Sequence, residues 1–129
     1  MKALIAAGLT LALSAGSAHA AWFNRVAASG KPLILAQPSS LNPDCSSLGT
    51  VTIKVIEGPE HGRVTSGRAS VFPKFPPSNP RSQCNSRRVS GASVTYVSQR
   101  GYQGTDRVVI EIIFPTGGYA QQTFNIVVR

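Results

Sequence analysis

The sequence predicts an all-β protein with the architecture of an antiparallel β-sandwich, and three features of the 129-residue chain support this prediction. After residue 20 no apolar spacing of helical period remains. Short runs rich in Val, Ile and Thr instead alternate apolar with polar positions, as strands do. Turn-forming Gly, Pro, Asn and Asp separate these runs about every eight to twelve residues. A closed barrel is the alternative, because sequence alone separates the two architectures poorly.

The first 20 residues have the pattern of a bacterial secretory signal peptide. Lys2 gives a positive start, Ala3–Leu13 is apolar and uncharged, and Ala18-His19-Ala20 places small residues before a cleavage site. This leader is too short to span a membrane, and no later segment is apolar enough to do so. We therefore expect one domain of residues 21–129 in the periplasm or secreted, with no membrane span.

The two cysteines of the chain, Cys45 and Cys84, predict one disulfide. An even count in a small exported domain is typical of a structural bridge, and no CxxC motif suggests redox chemistry. The closed loop of about 40 residues would contribute about 4 kcal/mol in the chain-entropy account.

The first half of the expected domain contains three predicted strands. Lys31–Gln37 forms the first and ends at a proline, and Val51–Glu57 alternates cleanly. Gly58–Gly62 contains the Gly and Pro that favour a turn. Because Arg63–Ser66 follows as a returning strand, residues 51–66 are predicted to form a β-hairpin.

The second half begins with a long loop and ends with three strands. Four prolines exclude a regular central strand from Phe72–Arg88, and a loop of this length is often functional. Ser90–Ser98 alternates, and Arg107–Phe114 is the strongest strand pattern in the chain. Pro115–Gly118 is a hairpin turn, after which Tyr119–Val128 returns.

The alternation within these strands predicts which side chains form the core. The expected core positions are Val51, Ile53, Val55, Ile110, Ile112, Phe114, Phe124, Ile126 and Val128. Trp22 and Phe23 stand at the new N-terminus, where they either pack on the sheet as an edge segment or fray.

Two motifs between residues 51 and 128 resemble the immunoglobulin-like and cadherin-like repeats of bacterial surface proteins. Those repeats carry a strand ending in P-x-H-G, found here as Pro59-Glu60-His61-Gly62. They then carry a Y-x-(P/S)-x-x-G-(F/Y)-x-G-x-D stretch before a long alternating strand, found here as Tyr96–Asp106. The resemblance covers most of the expected domain, and it implies an immunoglobulin-like sandwich, an extracytoplasmic location and no enzymatic activity.

The chain also departs from those repeats. The Pro-rich loop around Cys84 is an insertion, the usual proline after the tyrosine is absent, and no acidic calcium motifs are present. The segments Asn42–Gly49 and Asn79–Asn85 look similar to small secreted bacterial proteins that contain one disulfide and have no assigned activity. The resemblance therefore implies no catalytic residue.

The expected domain is strongly basic. Loss of Lys2 leaves 12 of the 13 basic residues against all 5 acidic ones, a net charge of +7. Such a charge favours contact with anionic surfaces, although a basic surface can equally serve only solubility.

The loop around Cys84 contains four basic residues, two phenylalanines and no acidic residue, which is typical of a contact surface. The candidate partner-binding residues are Phe72, Lys74, Phe75, Arg81, Arg87 and Arg88. Alternatively, a phenylalanine plugs one end of the sandwich while the arginines are solvated.

Catalytic and metal chemistry have little support in the sequence. His61 is the one histidine after residue 20, so zinc would lack the usual set of ligands, and carboxylates for calcium are few and scattered. Glu57 and Glu60 flank a turn and are expected to point into water, and Asp106 to accept backbone N–H groups within its own turn. We predict no catalytic residue, no metal site and no cofactor.

Two functions remain as hypotheses. The leading one is a non-catalytic domain that contacts an anionic polymer or protein of the envelope, with no nucleic-acid partner. The alternative is a small enzyme inhibitor, which would present the rigid 72–88 loop, or a minor envelope hydrolase, which would need titratable groups gathered in a pocket.

Overall fold

The computed structural model of the chain describes residues 19–129, which form seven strands and one short 3-10 helix. The strands are β1 (His19–Ala27), β2 (Leu33–Ala36), β3 (Thr52–Glu57), β4 (Gly62–Val71), β5 (Val89–Ser98), β6 (Gly104–Ile113) and β7 (Tyr119–Val128), and the helix (Ser82–Ser86) lies between β4 and β5. Residues 1–18 of the predicted signal peptide lie outside the described residues, and its last two residues begin β1. No helix within residues 19–129 is long and apolar enough to cross a membrane.

The strands form two separate sheets, which confirms the predicted sandwich over a closed barrel. One sheet has the order β1-β7-β6-β3 and the other the order β2-β5-β4. With β3-β6-β7 facing β2-β5-β4, this is the strand order of immunoglobulin-type sandwiches, in which C, F and G face B, E and D. Pairing is antiparallel as predicted, with the exception of β1, which runs parallel to β7.

The predicted hairpin over residues 51–66 is wrong. β3 pairs with β6 in the first sheet, whereas β4 pairs with β5 in the second, so the turn between them carries the chain from one sheet to the other. Two alternating strands joined by a Gly-Pro turn have the same sequence pattern whether they pair with each other or lie in different sheets. Contacts of the turn with residues distant in sequence decide which of the two arrangements forms.

Most strand boundaries agree with prediction, and β7 agrees at both ends. The predicted 63–66 strand is longer, because β4 continues through Gly67-Arg68-Ala69 as a regular partner of β5. The predicted 31–37 strand is shorter and begins at Leu33. Trp22 and Phe23 lie within an ordered edge strand, which decides between the two alternatives for this segment.

Six of the nine predicted core side chains are buried, namely Val51, Ile110, Ile112, Phe124, Ile126 and Val128. Ile53 and Phe114 are partly buried against this cluster. Val55 was wrongly assigned to the core, because it is 43 % exposed on an edge strand beside a register shift at Val55–Glu57. Tyr96 and Val94, fully buried on β5, complete the facing layer.

We expect Ile112→Ala to lower the free energy of unfolding by about 2–5 kcal/mol, because its side chain is lost from a close-packed site. Val55→Ala, on the same sheet but exposed, should cost less than about 1 kcal/mol. Urea denaturation of both variants measures the difference. Equal losses would show that the inner face of β3 and β6 is assigned wrongly.

Candidate functional site

The 72–88 loop is fastened to the chain segment after β2. Cys45 and Cys84 form the predicted disulfide, with Cα atoms 5.5 Å apart. Beside it, the Nε of Arg81 donates a hydrogen bond to the carbonyl oxygen of Leu41 at 2.7 Å. The side-chain amide of Gln83 donates to the carbonyl oxygen of Pro43 at 2.6 Å. Three attachments, one of them covalent, hold the loop in one place.

A second clamp orders the middle of this loop. The side chain of Asn85 accepts a hydrogen bond from the N–H of Phe75 and donates one to the Phe75 carbonyl, both at 2.9 Å. The asparagine therefore pairs with the Phe75 backbone as a neighbouring strand would. Because Pro73 is buried as well, the loop is fixed on both sides of Lys74.

The ordered loop forms one wall of a cleft of about 570 Å³. β1 and β2 are edge strands of the two sheets, and the cleft opens between them. We call it the basic groove, defined by three aromatic residues, two basic residues and Ile34. These residues are Phe23, Arg25, Ile34, Phe72, Lys74 and Phe75, and no acidic residue lines the cleft.

Aromatic rings hold the guanidinium groups at this groove. The Arg25 guanidinium lies 5.1 Å from the centre of the Phe23 ring, which stacks on Phe124 at 5.3 Å. The Arg88 guanidinium lies 4.8 Å from the centre of the exposed Phe72 ring. Such contacts fix the direction of a cation without neutralising its charge.

The six predicted partner-binding residues do not all share one place. Phe72, Lys74 and Phe75 line the basic groove, and Arg88 joins it through its contact with Phe72. Arg81 is half-buried and its Nε is used by the Leu41 carbonyl, while Arg87 is exposed beyond the 3-10 helix.

Phe23 and Arg25 are groove residues that sequence reasoning missed. Their segment follows the predicted cleavage site, so the sequence allows either an edge strand or a frayed terminus there. The alternation of Trp22, Asn24 and Val26 with Phe23 and Arg25 was the signal that could have found it.

A second cleft, of about 460 Å³, is lined by several carboxylate side chains. Glu57, Glu60 and Asp106 line it together with Arg107. Glu57 lies 3.7 Å from the Nε of Arg107, and the side chain of Glu60 is 88 % exposed. The ring of His61 stacks on the ring of Tyr102 with centroids 4.1 Å apart.

The carboxylate of Asp106 is the most heavily bonded side chain in this region. It accepts hydrogen bonds from the N–H groups of Glu60 at 2.9 Å and His61 at 3.1 Å. The hydroxyl of Tyr96 donates to it at 2.7 Å and the N–H of Arg107 at 2.9 Å. The prediction that Asp106 serves its own turn is therefore wrong, because it holds the β3–β4 turn, 45 residues away in sequence.

These bonds set the ionisation of both partners. Burial by itself would raise the pKa of Asp106, but the hydrogen bonds from Tyr96 and three backbone N–H groups outweigh it and lower the pKa. Burial, and then the hydrogen bond to this carboxylate, raises the pKa of Tyr96. Asp106 therefore stays ionised while buried.

The two motifs of the sequence analysis meet at this carboxylate. Glu60 and His61 belong to the P-E-H-G motif, and Tyr96 and Asp106 are the first and last residues of the second motif. The motifs are thus two halves of one structural network. Within residues 19–129, no group of three or more His, Cys, Asp or Glu side chains is placed to hold a metal ion.

Comparison with known proteins adds little on function. No protein-family model matches this chain, and none of the curated proteins matches it. The chain is similar to the solution structure of Amebosin, at 14 % identity and a TM-score of 0.40, over 88 % of this chain and 100 % of that one.

We expect Asp106→Asn to destabilise the protein at pH 7 and to flatten its response to acid. Because folding lowers the pKa of Asp106, its contribution to stability is complete above the unfolded-state value of about 3.9 and disappears as pH falls through the folded-state value. Urea denaturation between pH 7 and pH 2 should show a steeper loss for the parent than for Asp106→Asn. Parallel curves would contradict the assigned role.

Tyr96→Phe provides a test that leaves the carboxylate in place. It removes one donor from a buried acceptor and should cost about 1–3 kcal/mol at pH 7. Tyr102→Phe is the matched control. It should lower the free energy of unfolding by less, because the Tyr102 hydroxyl of the parent donates to the Thr105 carbonyl near the surface.

Proposed function

We propose that this protein is a non-catalytic binding domain that acts outside the cytoplasm and contacts an anionic envelope partner through the basic groove. The observation that carries the proposal is the composition of the groove. Aromatic side chains form its walls, Arg25 and Lys74 supply positive charge, and no carboxylate lines it. Anionic groups would find Coulombic attraction and apolar contact in the same cleft.

The ordering of the groove also supports binding. The disulfide, the Asn85 clamp and the stacking of Phe23 on Phe124 fix its walls in the free protein. A site ordered beforehand loses less conformational entropy when a partner binds. Arginine and aromatic residues are also enriched among the residues that dominate binding energy.

Three observations support an extracytoplasmic location. Residues 1–20 have the charge, apolar run and small cleavage residues of a signal peptide. The Cys45–Cys84 disulfide is favoured in an oxidising compartment. The resemblance to immunoglobulin-like and cadherin-like repeats of bacterial surface proteins points the same way.

A minor envelope hydrolase is the second candidate, and the cleft that gathers Glu57, Glu60 and Asp106 is the observation that favours it. An acid–base pair needs one carboxyl group that protonates near neutral pH. Asp106 is held ionised by four donors, and both glutamates are largely exposed to water. The groove therefore supports binding better than this cleft supports hydrolysis. The rigid 72–88 loop equally suits an enzyme inhibitor, which is a binding function.

The double variant Arg25→Gln/Lys74→Gln tests the groove. Polyglutamate and inorganic polyphosphate serve as anionic probes, with uncharged polyethylene glycol as the neutral probe. If each lost charge contributes 0.5–1 kcal/mol, affinity for the anions should fall about five- to thirty-fold. Raising the salt concentration should weaken binding by the parent, since exposed charges are screened over about 8 Å at physiological ionic strength.

Arg63→Gln/Arg100→Gln is the matched control, because it removes the same charge from exposed positions that do not line the groove. This variant should bind within about twofold of the parent. Equal losses in both double variants would show that net charge, and not the groove, attracts the anions. Unchanged urea midpoints would establish that both variants fold.

A further inference from the structure

The outer face of the β1-β7-β6-β3 sheet carries a row of polar side chains from three neighbouring strands. Asn24 of β1 is paired in register with Asn125 of β7, and Asn125 is paired with Arg107 of β6. Glu57 of β3 extends the row, with its carboxylate 3.7 Å from the Arg107 guanidinium. All four residues line the cleft of about 460 Å³ described above.

Trp22 lies beside this row and just outside the cleft, in the neighbouring outward-facing pair Trp22–Thr123 of β1 and β7. It lies two residues before Asn24, so it projects from the same face of β1. The Arg107 guanidinium lies 5.0 Å from the centre of its ring. The residue is nevertheless 64 % exposed, which leaves a large part of the indole surface open to solvent.

The tryptophan is held in place from the opposite side of the strand. Phe23, the next residue, points into the sandwich and stacks on buried Phe124. The seven pairs from Ala21–Gln122 to Ala27–Val128 join β1 to β7 after the predicted cleavage site. An exposed aromatic ring on an anchored strand is a rigid platform, which a fraying terminus would not provide.

The chemistry of this face fits a sugar chain. A pyranose ring presents apolar C–H groups on one face, which can lie against an indole ring, and hydroxyl groups around its edge. Asparagine amides both donate and accept hydrogen bonds, while the Arg107–Glu57 pair supplies further donors and acceptors. No hydrogen bond within residues 19–129 uses the side-chain amide of Asn24 or Asn125, so both amides are free for a ligand.

The charge of the cleft and the length of its polar row limit which class of ligand fits. Three carboxylates and one guanidinium line the cleft, so an anionic ligand would be repelled there. The row of Asn24, Asn125 and Arg107 crosses three strands, about 10 Å, which is the length of about two sugar rings. The exposed apolar side chains on this face are Trp22, Val26 and Val127, and the asparagine amides and the Arg107–Glu57 pair interrupt them, which suits a sugar better than a lipid chain.

We propose that this face, with Trp22 as a stacking platform and Asn24, Asn125 and Arg107 as hydrogen-bonding groups, binds a short stretch of an uncharged glycan chain. The site is separate from the basic groove, which lies on the inner side of β1. It therefore stands or falls independently of the proposed anion binding.

The test uses the protein's single tryptophan as its own reporter. The protein with its disulfide formed is titrated with the uncharged tetrasaccharides N-acetylchitotetraose, cellotetraose and maltotetraose while Trp22 fluorescence is recorded. We expect a saturable change with at least one of them, independent of protein concentration. No change with any of the three at millimolar sugar would overturn the proposal. A change that follows protein concentration and not sugar would assign the face to a second copy of the chain.

Variants then locate the site by calorimetry with the sugar that responds. Trp22→Ala and Asn125→Ala should each weaken binding about tenfold or more. Tyr119→Ala removes another exposed aromatic of the same sheet face, four residues or about 13 Å along β7 from the Trp22 pair, and should leave binding unchanged. Equal losses in the Tyr119 and Trp22 variants, or none in the Trp22 variant, would overturn the assignment. Arg25→Gln/Lys74→Gln should retain glycan binding even if its anion binding is lost.

Discussion

The buried carboxylate of Asp106 is the constraint on which the arrangement of the two sheets depends. It receives two N–H groups from the turn that carries the chain from β3 to β4, and the hydroxyl of Tyr96 from the facing sheet. An ion of this kind is costly to bury without partners, and here four donors compensate for the lost hydration. Gly62 belongs to the same network, because a Cβ at this position would collide with the carbonyl oxygen of Val97. The turn can approach β5 closely for this reason.

Strand β1 links the fold to both proposed binding surfaces. It pairs parallel to β7, and its alternation sends Phe23 and Arg25 toward the groove while Trp22 and Asn24 face outward. One edge strand thus contributes residues to the basic groove on one side and to the proposed glycan-binding face on the other. The disulfide does not line the basic groove, but it fixes the loop that forms the wall of the groove opposite β1. The sandwich provides a rigid frame, and the two proposed binding surfaces lie between its edge strands β1 and β2 and on the outer face of the β1-β7-β6-β3 sheet.

Local patterns predicted the features that depend on local chemistry. Alternation was sufficient for β5, β6 and β7, and the even cysteine count was sufficient for the disulfide. The sheet membership of β3 and β4 was not predictable in this way, because it rests on Asp106, a residue far along the chain. Val55 alternates as a core residue would, yet it lies on an edge strand that is open on one side. The loop residues Phe72, Lys74 and Phe75 were predicted as a contact surface, whereas Phe23 and Arg25 reach the same groove only through tertiary packing.

Amide hydrogen exchange at Glu60 and His61 tests the central role of Asp106 most directly. Both residues lie in a turn between strands, where amides without a partner exchange quickly. If their N–H groups donate to a buried carboxylate, they should be protected in the parent nearly as strongly as the amides of β6. In Asp106→Ala, which removes both acceptor oxygens, that protection should be lost at these two positions while β6 and β7 remain protected. Rapid exchange at Glu60 and His61 in the parent, or protection that survives in Asp106→Ala, would contradict the account.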